Sequence, residues 1–273
     1  MTDGSSGRCV AVVGAGVMGE ALIAGLARGD RDADELLVSD QFASRAEEVA
    51  AKYQAEAVSN VVAASRAHTI VLVVKPQDMA NVLNEIGPHL RPDSLVVSLA
   101  AGITTNFLAD RLPAGHAVVR VMPNTPALVD EGMAAIAPGP TCDDSHAAEA
   151  TRLLSSVGRV VTVPEAYLDA VTALSGSGPA YIFYVVEAMI EAGVLLGLPR
   201  GMSTDLVVQT LVGSAAMLRE TGEHPSVLRE NVSSPAGTTV AALRELDRHM
   251  VRAAFVSAIE AARDRSAELA GGA

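Results

Sequence analysis

Residues Cys9 to Gly29, CVAVVGAGVMGEALIAGLARG, constrain this chain more than any other stretch. Cys9 to Gly14 are apolar or small at every position, the pattern of a strand buried on both faces in a parallel sheet. Gly14, Gly16 and Gly19 follow as G-x-G-x-x-G, and Leu22, Ile23 and Leu26 then recur at helical spacing up to Gly29. Strand, glycine turn and helix in this order make a dinucleotide fingerprint. Gly14 permits the tight turn, Gly16 lets the backbone approach a pyrophosphate, and Gly19 lets the helix lie close on the strand. The helix N-terminus offers free N–H groups and partial positive charge to the phosphates.

Composition narrows the partners. The 273 residues suffice for one large or two ordinary domains, and 49% are hydrophobic with no Trp, so the core is aliphatic. A net charge of −12 disfavours nucleic acid and anionic membrane as partners. The two cysteines, Cys9 and Cys142, are too few for a disulfide framework. The polar start MTDGSSGR does not read as a signal peptide, and no apolar run approaches the length of a membrane helix. The expectation is a soluble, reduced, cytoplasmic protein.

After the fingerprint, apolar stretches alternate with helical ones. Strands are predicted at 36–40, 69–74, 95–99, 117–121, 133–137 and 160–163, with helices at 45–53, 78–86 and 147–156. This alternation predicts an α/β Rossmann-type domain with a parallel sheet covered on both faces. Ligands of such sheets bind beyond the carboxyl ends of the strands, so the loops Val74–Gln77, Leu99–Gly102 and Met122–Thr125 are candidate cofactor walls. Asp40 ends the second strand 26 residues after Gly14, where a carboxylate accepts from the ribose 2′-hydroxyl of NAD and repels the 2′-phosphate of NADP. Ser39, Ser44 and Arg45 stand nearby as candidates to take a phosphate instead, so cofactor choice stays open.

After Pro164 no convincing strand remains. Tyr181–Leu198 is apolar on every side except Glu187 and Glu191, a pattern that demands burial in a large core or against another subunit. The two glutamates, four apart, must reach solvent or meet a cation. Further helices are predicted at 204–220 and 239–269. The division is thus 1–164, a dinucleotide-binding Rossmann domain, and 165–273, an all-α domain that dimerises through its apolar helices and binds substrate.

Two stretches of the second domain are polar and glycine-bearing beyond what helix packing requires, LSGSGPAY at 174–181 and NVSSPAGTT at 231–239. Ser233, Ser234, Thr238 and Thr239 precede or open a helix, where hydroxyls and free N–H groups make a seat for a carboxylate. Ordinary N-capping is the competing explanation, but one cap needs one hydroxyl. No histidine or cysteine sits in a nucleophile context, and no H-x-x-x-H or C-x-x-C spacing suggests a metal. A dinucleotide enzyme without a histidine base suits a cyclic imine, whose protonated carbon takes hydride directly once the reactants are positioned.

VTALSGSGPAY (Val171–Tyr181) followed by NVSSPAGTT (Asn231–Thr239) resembles the pyrroline-5-carboxylate reductase family. VKP at 74–76, AAGI at 100–103, VMPNTPALV at 121–129 and TGEHP at 221–225 extend the resemblance along nearly the whole chain. It implies reduction of 1-pyrroline-5-carboxylate to L-proline with NADPH or NADH, in dimers that often assemble into decamers. By motif, Gly14, Ala15, Gly16, Val17, Met18 and Gly19 would hold the pyrophosphate. Asp40, Asn60, Val74, Lys75, Pro76, Gln77, Ala100, Ala101 and Asn231 would complete the cofactor site. Ser234, Gly237, Thr238, Thr239 and the acid Glu165 would hold substrate, with Thr239 and Ser234 nearest the chemistry. No metal is expected, because the chain has no H-x-x-x-H or C-x-x-C spacing. Ala236 stands where the family loop has glycine, and would be strained if that position needs positive φ. Two alternatives differ in kind. A 3-hydroxy-acid dehydrogenase of the 6-phosphogluconate type would want a lysine base in the helical domain, yet the lysines are Lys52 and Lys75, both in the first domain. A non-catalytic dinucleotide sensor would leave the hydroxyl loops without a role.

Overall fold

A computed structural model describes residues 8–28 and 35–271; Gly29, expected from the sequence to close the first helix, lies outside the described residues. The chain folds into two compact units, one running to Ser177 and including the residues from Ala262 onward, the other Gly178–Ala261.

The first unit is built on one eight-stranded sheet. Its strands are β1 Cys9–Val13, β2 Glu35–Ser39, β3 Glu56–Ala57, β4 Thr69–Leu72, β5 Leu95–Ser98, β6 Ala117–Met122, β7 Gly132–Pro138 and β8 Gly158–Thr162. The order is β3-β2-β1-β4-β5-β6-β7-β8, and every pair is parallel except β6–β7. The antiparallel pair has a local cause. Between Met122 and Gly132 there is room only for the short 3-10 turn Thr125–Val129, whereas a parallel return needs a crossover of a dozen residues or more. The helices of this unit are α1 Val17–Arg28, α2 Ala43–Tyr53, α3 Asn60–Arg66, α4 Met79–Ile86, α5 Thr105–Ala109, α6 Asp144–Leu154 and α7 Leu168–Val171.

β1 shows why its sequence is apolar throughout. Val10 and Val12 pack with Leu22, Ile23 and Leu26 of α1 on one face. Cys9, Ala11 and Val13 pack with Ala63, Ala64 and Leu83 on the other. Burying one such leucine or isoleucine contributes about 2 kcal/mol. Burial also pushes the Cys9 thiol up to about 12, so it acts as a small hydrophobe.

The second unit holds α8 Gly178–Leu195, α9 Arg200–Thr221, α10 Pro225–Asn231, α11 Thr238–Arg248 and the first part of α12 Val251–Gly271. The single helix predicted over 239–269 is in fact broken at Met250, which adopts φ +53°. No glycine, proline or asparagine marks that reversal, so the sequence carries no local signal for it. The far end of α12 belongs to the first unit, where Ser266 Oγ donates to Asp169 Oδ1 at 2.7 Å.

No residue of α8 is buried within the chain. Ile182, Phe183, Tyr184 and Leu195 are exposed, as are Leu206 and Val212 of α9. Of the two glutamates on α8, Glu187 faces solvent and Glu191 accepts from Arg200 Nη1 at 2.7 Å and Nη2 at 3.2 Å. One expectation is corrected here. The helical run Glu165–Leu195, 31 residues, is by length and composition alone apolar enough to cross a membrane. It is built from α7, a π-helical turn at Thr172–Gly176 and α8, with only Ser177 between the last two.

Candidate active site

The glycine turn is assembled as its motif requires. Gly14 has φ +105°, and a Cβ there would stand 2.4 Å from the Val73 carbonyl oxygen, so only glycine fits. A Cβ on Gly19 would lie 1.9 Å from the Gly14 oxygen, which is how close α1 approaches the turn. Nothing lies within 4 Å of a Cβ placed on Gly16, and Gly16 and Val17 are exposed while Met18 is half-buried. The turn is therefore packed shut behind and open in front, the shape a pyrophosphate needs.

Asp40 lies one residue beyond β2 rather than in it, and its position is held by backbone. Ala15 N–H donates to Asp40 Oδ2 at 2.7 Å and Phe42 N–H to Oδ1 at 2.9 Å. Asn60, first residue of α3, stands beside it. Ser39 Oγ donates to Asn60 Oδ1 at 2.6 Å, and Asn60 Nδ2 donates to Glu85 Oε2 at 2.8 Å. Asp40, Ser39, Asn60 and Glu85 line one pocket of about 630 Å3. The Ser39–Asn60–Glu85 chain had no local signal beyond Ser59, whose side chain accepts from Val62 N–H to cap α3.

Arg45, named as a possible phosphate ligand, is committed elsewhere. Its Nε donates to the Ala15 carbonyl at 2.9 Å, and its guanidinium pairs with Glu20 and with Glu48, the latter at 2.9 Å. Lys52, Arg45 and Tyr53 together hold the Glu20 carboxyl down to about 2. Ser44 is exposed.

The strand-end loops come together through the sheet. Leu99 N–H donates to the Leu72 oxygen at 2.9 Å, which sets the Leu99–Gly102 loop beside the loop after β4. Val74 is half-buried, Lys75, Pro76, Gln77 and Ala101 are exposed, and Ala100 is buried. Asn124 ties the third loop inward. Its Nδ2 donates to the Ser175 carbonyl at 3.2 Å and its Oδ1 accepts from Met133 N–H at 2.8 Å. Ser175 lies in the π-helical turn, a conformation that recurs at functional sites.

Glu165 is engaged within the first unit. Oε1 accepts from Thr105 N–H at 2.8 Å and from Arg120 Nη1 at 3.2 Å, and Oε2 accepts from Thr105 Oγ1 at 2.5 Å. Partial burial works against the charged carboxylate, but these donors together outweigh it and hold the carboxyl below its ordinary range. Arg120 is buried, and Glu165 is the partner of its charge.

The hydroxyl loop belongs to the second unit. Asn231 ends α10, and Asn231, Ser234 and Thr238 are placed around a turn with Gly237 and Thr239. Ser233 Oγ donates back to the Arg229 carbonyl at 2.6 Å, so this hydroxyl serves the preceding helix. Ala236 has φ +57°, so the loop does place its alanine in the left-handed region. Gly237 N–H donates to the Ser234 oxygen at 3.0 Å, and a Cβ on Gly237 would stand 2.4 Å from Ser234 Oγ. Gly237 is the N-cap of α11, and no side chain caps that helix. The hydroxyls of Ser234, Thr238 and Thr239 are therefore not spent on capping. Thr238 and Thr239 open α11, and Ser234 lies beside Gly237, at a helix end that no side chain caps.

Four of the histidines have structural partners. His68 Nδ1 accepts from Cys9 N–H, His146 completes a capping box on α6, His224 caps α10, and both His116 nitrogens meet main-chain carbonyls.

Known proteins match both halves. A family model described as pyrroline-5-carboxylate reductase dimerisation matches residues 165–269. A second, described as NADP oxidoreductase, coenzyme F420-dependent, matches residues 9–102. The pyrroline-5-carboxylate reductase of Corynebacterium melassecola is 46% identical over 264 residues, covering 95% of this chain and 98% of that one. The solved structure of the Coxiella burnetii pyrroline-5-carboxylate reductase superposes with a TM-score of 0.92 at 33% identity, over 97% of this chain and 99% of that one. That of the Plasmodium falciparum enzyme with NADP bound gives 0.85 at 30% identity, over 96% and 98%. With both halves matched and relatives spanning almost the full chain, this protein belongs to the pyrroline-5-carboxylate reductase family.

Proposed function

We infer that the open glycine turn and the uncapped hydroxyl loop serve one reaction, the NAD(P)H-dependent reduction of 1-pyrroline-5-carboxylate to L-proline, the last step of proline biosynthesis. The observation that carries this reading is the N-terminus of α11, which no side chain caps, with Thr238 and Thr239 in its first turn and Ser234 just before it. It suits the substrate carboxylate, an anion that hydroxyls and helix N–H groups hold without a basic side chain.

Within the first unit the cofactor is assigned to Gly14 to Gly19 for the pyrophosphate, Asp40 and Asn60 for the adenosine ribose, and the loops Val74–Gln77 and Ala100–Ala101; Asn231 of the second unit is assigned to it by motif alone. The residues fit the group, because the turn is open at Gly16 and the pocket at Asp40 is large enough for a nucleoside. NAD(P)H, when bound there, would supply hydride to the imine carbon. The chain fixes the carboxylate through Ser234, Gly237, Thr238 and Thr239, which orients that carbon. The Thr239 hydroxyl would lie by the ring nitrogen, with solvent supplying the proton that the nitrogen takes up. Orientation of this kind accounts for most of what such a reaction needs. Glu165, held by Thr105 and Arg120, stands as the remaining contact proposed for substrate.

We place the apolar faces of α8 and α9 against a second copy of the chain, in keeping with the match to a dimerisation domain and with the absence of burial along α8. Gel filtration with light scattering distinguishes dimer from decamer. Two free cysteines and a biosynthetic role favour the cytoplasm. The test of the whole reading is the initial rate of NADH and NADPH oxidation with pyrroline-5-carboxylate. Turnover with either cofactor supports it, and none with both overturns it.

A further inference from the structure

We propose that the adenosine pocket of this enzyme selects NADH over NADPH. The proposal rests on reading that pocket as the seat of the cofactor's adenosine. The two cofactors differ only by the 2′-phosphate on that ribose, so the groups around it decide the choice.

Four carboxylates line the pocket, those of Asp40, Glu47, Asp78 and Glu85, and no lysine or arginine among the described residues does. Asp40 is not free to turn away from an incoming phosphate. Both its oxygens are pinned by main-chain N–H groups, Ala15 at 2.7 Å and Phe42 at 2.9 Å, and each keeps lone pairs for ribose hydroxyls. The polar groups nearest that position have other partners. Ser39 Oγ donates to Asn60, Asn60 donates to Glu85, and the Arg45 guanidinium is shared among Ala15, Glu20 and Glu48. Freeing Arg45 would take from Glu20 one of the donors that hold its carboxyl ionised. A 2′-phosphate carrying close to two negative charges would thus meet acids on several sides and find no cation. The match to a family model described by NADP, and the NADP in the Plasmodium falciparum relative, concern the fold and that protein. The local charge of this pocket runs the other way.

The test separates the pocket from the reaction. Purified enzyme is titrated, without substrate, with NADH and NADPH by nicotinamide fluorescence, and with 5′-AMP and 2′,5′-ADP by calorimetry. NADH should bind at least tenfold more tightly than NADPH, and 5′-AMP more tightly than 2′,5′-ADP. Equal or tighter binding of the phosphorylated member of either pair would overturn the proposal. Asp40→Ser should shrink the NADH preference at least fivefold. Because Asp40 also anchors Ala15, a second variant is needed, and Glu47→Gln combined with Asp78→Asn removes charge without touching the turn. It should raise NADPH affinity severalfold, and an unmoved ratio in both variants would sink the idea. NADH-selective binding without turnover of pyrroline-5-carboxylate would uphold this proposal while refuting the reductase reading.

Discussion

Ala15 donates its N–H to Asp40 Oδ2 at 2.7 Å, and its neighbour Gly14 donates to the Ser39 oxygen at 2.8 Å. The glycine turn and Asp40 are therefore tied directly to each other. A change on either side of this joint is felt on the other, whereas changes on the open face of the turn are not.

That contrast separates Gly19 from Gly16. Gly19→Ala drives a methyl into the Gly14 oxygen and should lower stability by about 3 kcal/mol or more. Gly16→Ala meets no protein atom and should change the urea midpoint little, by about 0.5 kcal/mol or less in unfolding free energy. It should still weaken NADH binding if the proposed pyrophosphate site is right, because the methyl would stand on the open face of the turn. Equal destabilisation by both variants would mean that the turn is not open as described.

Thr239 tests the carboxylate seat. It stands in the first turn of a helix without a side-chain cap, so its hydroxyl does no capping there. Thr239→Ala should reduce turnover by roughly 100-fold, the order seen on removing one oriented donor, with cofactor affinity almost intact. Parallel loss of turnover and of cofactor binding would assign the loop a purely structural role.

Ala236 carries measurable backbone strain. An L-residue at φ +57° costs about 1 kcal/mol, whereas glycine there loses more entropy on folding, by a somewhat smaller amount. Ala236→Gly should be neutral or stabilise by up to about 1 kcal/mol, and Ala236→Val should destabilise by roughly 1–2 kcal/mol. Denaturant unfolding of both variants checks the order. A glycine variant less stable than the alanine protein would show that the loop does not hold this residue left-handed.

Glu20 gives an acid limb to stability. Its carboxyl, held to about 2 by Lys52, Arg45 and Tyr53, is depressed from an ordinary value of 4.5. A depressed folded pKa means that the stabilisation is complete above about 4.5 and disappears as pH falls through about 2. With allowance for solvent screening it is worth on the order of 1–2 kcal/mol. Thermal midpoints between pH 5 and 2 should fall less steeply in Glu20→Gln than in the native chain. Identical slopes would remove Glu20 from the account.

Whatever depends on burial period and turn chemistry was legible in the chain itself. Cys9–Val13 had to be a doubly covered strand because both its faces are apolar, and Gly14 and Gly19 had to be glycine because a Cβ has nowhere to go. The all-helical second half and its apolar helix α8 were equally legible, since apolar positions run round nearly the whole circumference of that helix. Other features came only with folding. β7 runs antiparallel because its connection is short, and Ala236 and Met250 turn left-handed without a residue that announces it. The fate of Asp40, Ser39 and Arg45 depended on partners about 20 to 30 positions away, Ala15, Asn60 and Glu20 among them. Hydrogen bonds between residues so far apart leave no periodic trace in the chain. The packed fold is what shows which polar groups are already satisfied and which still have room for a ligand.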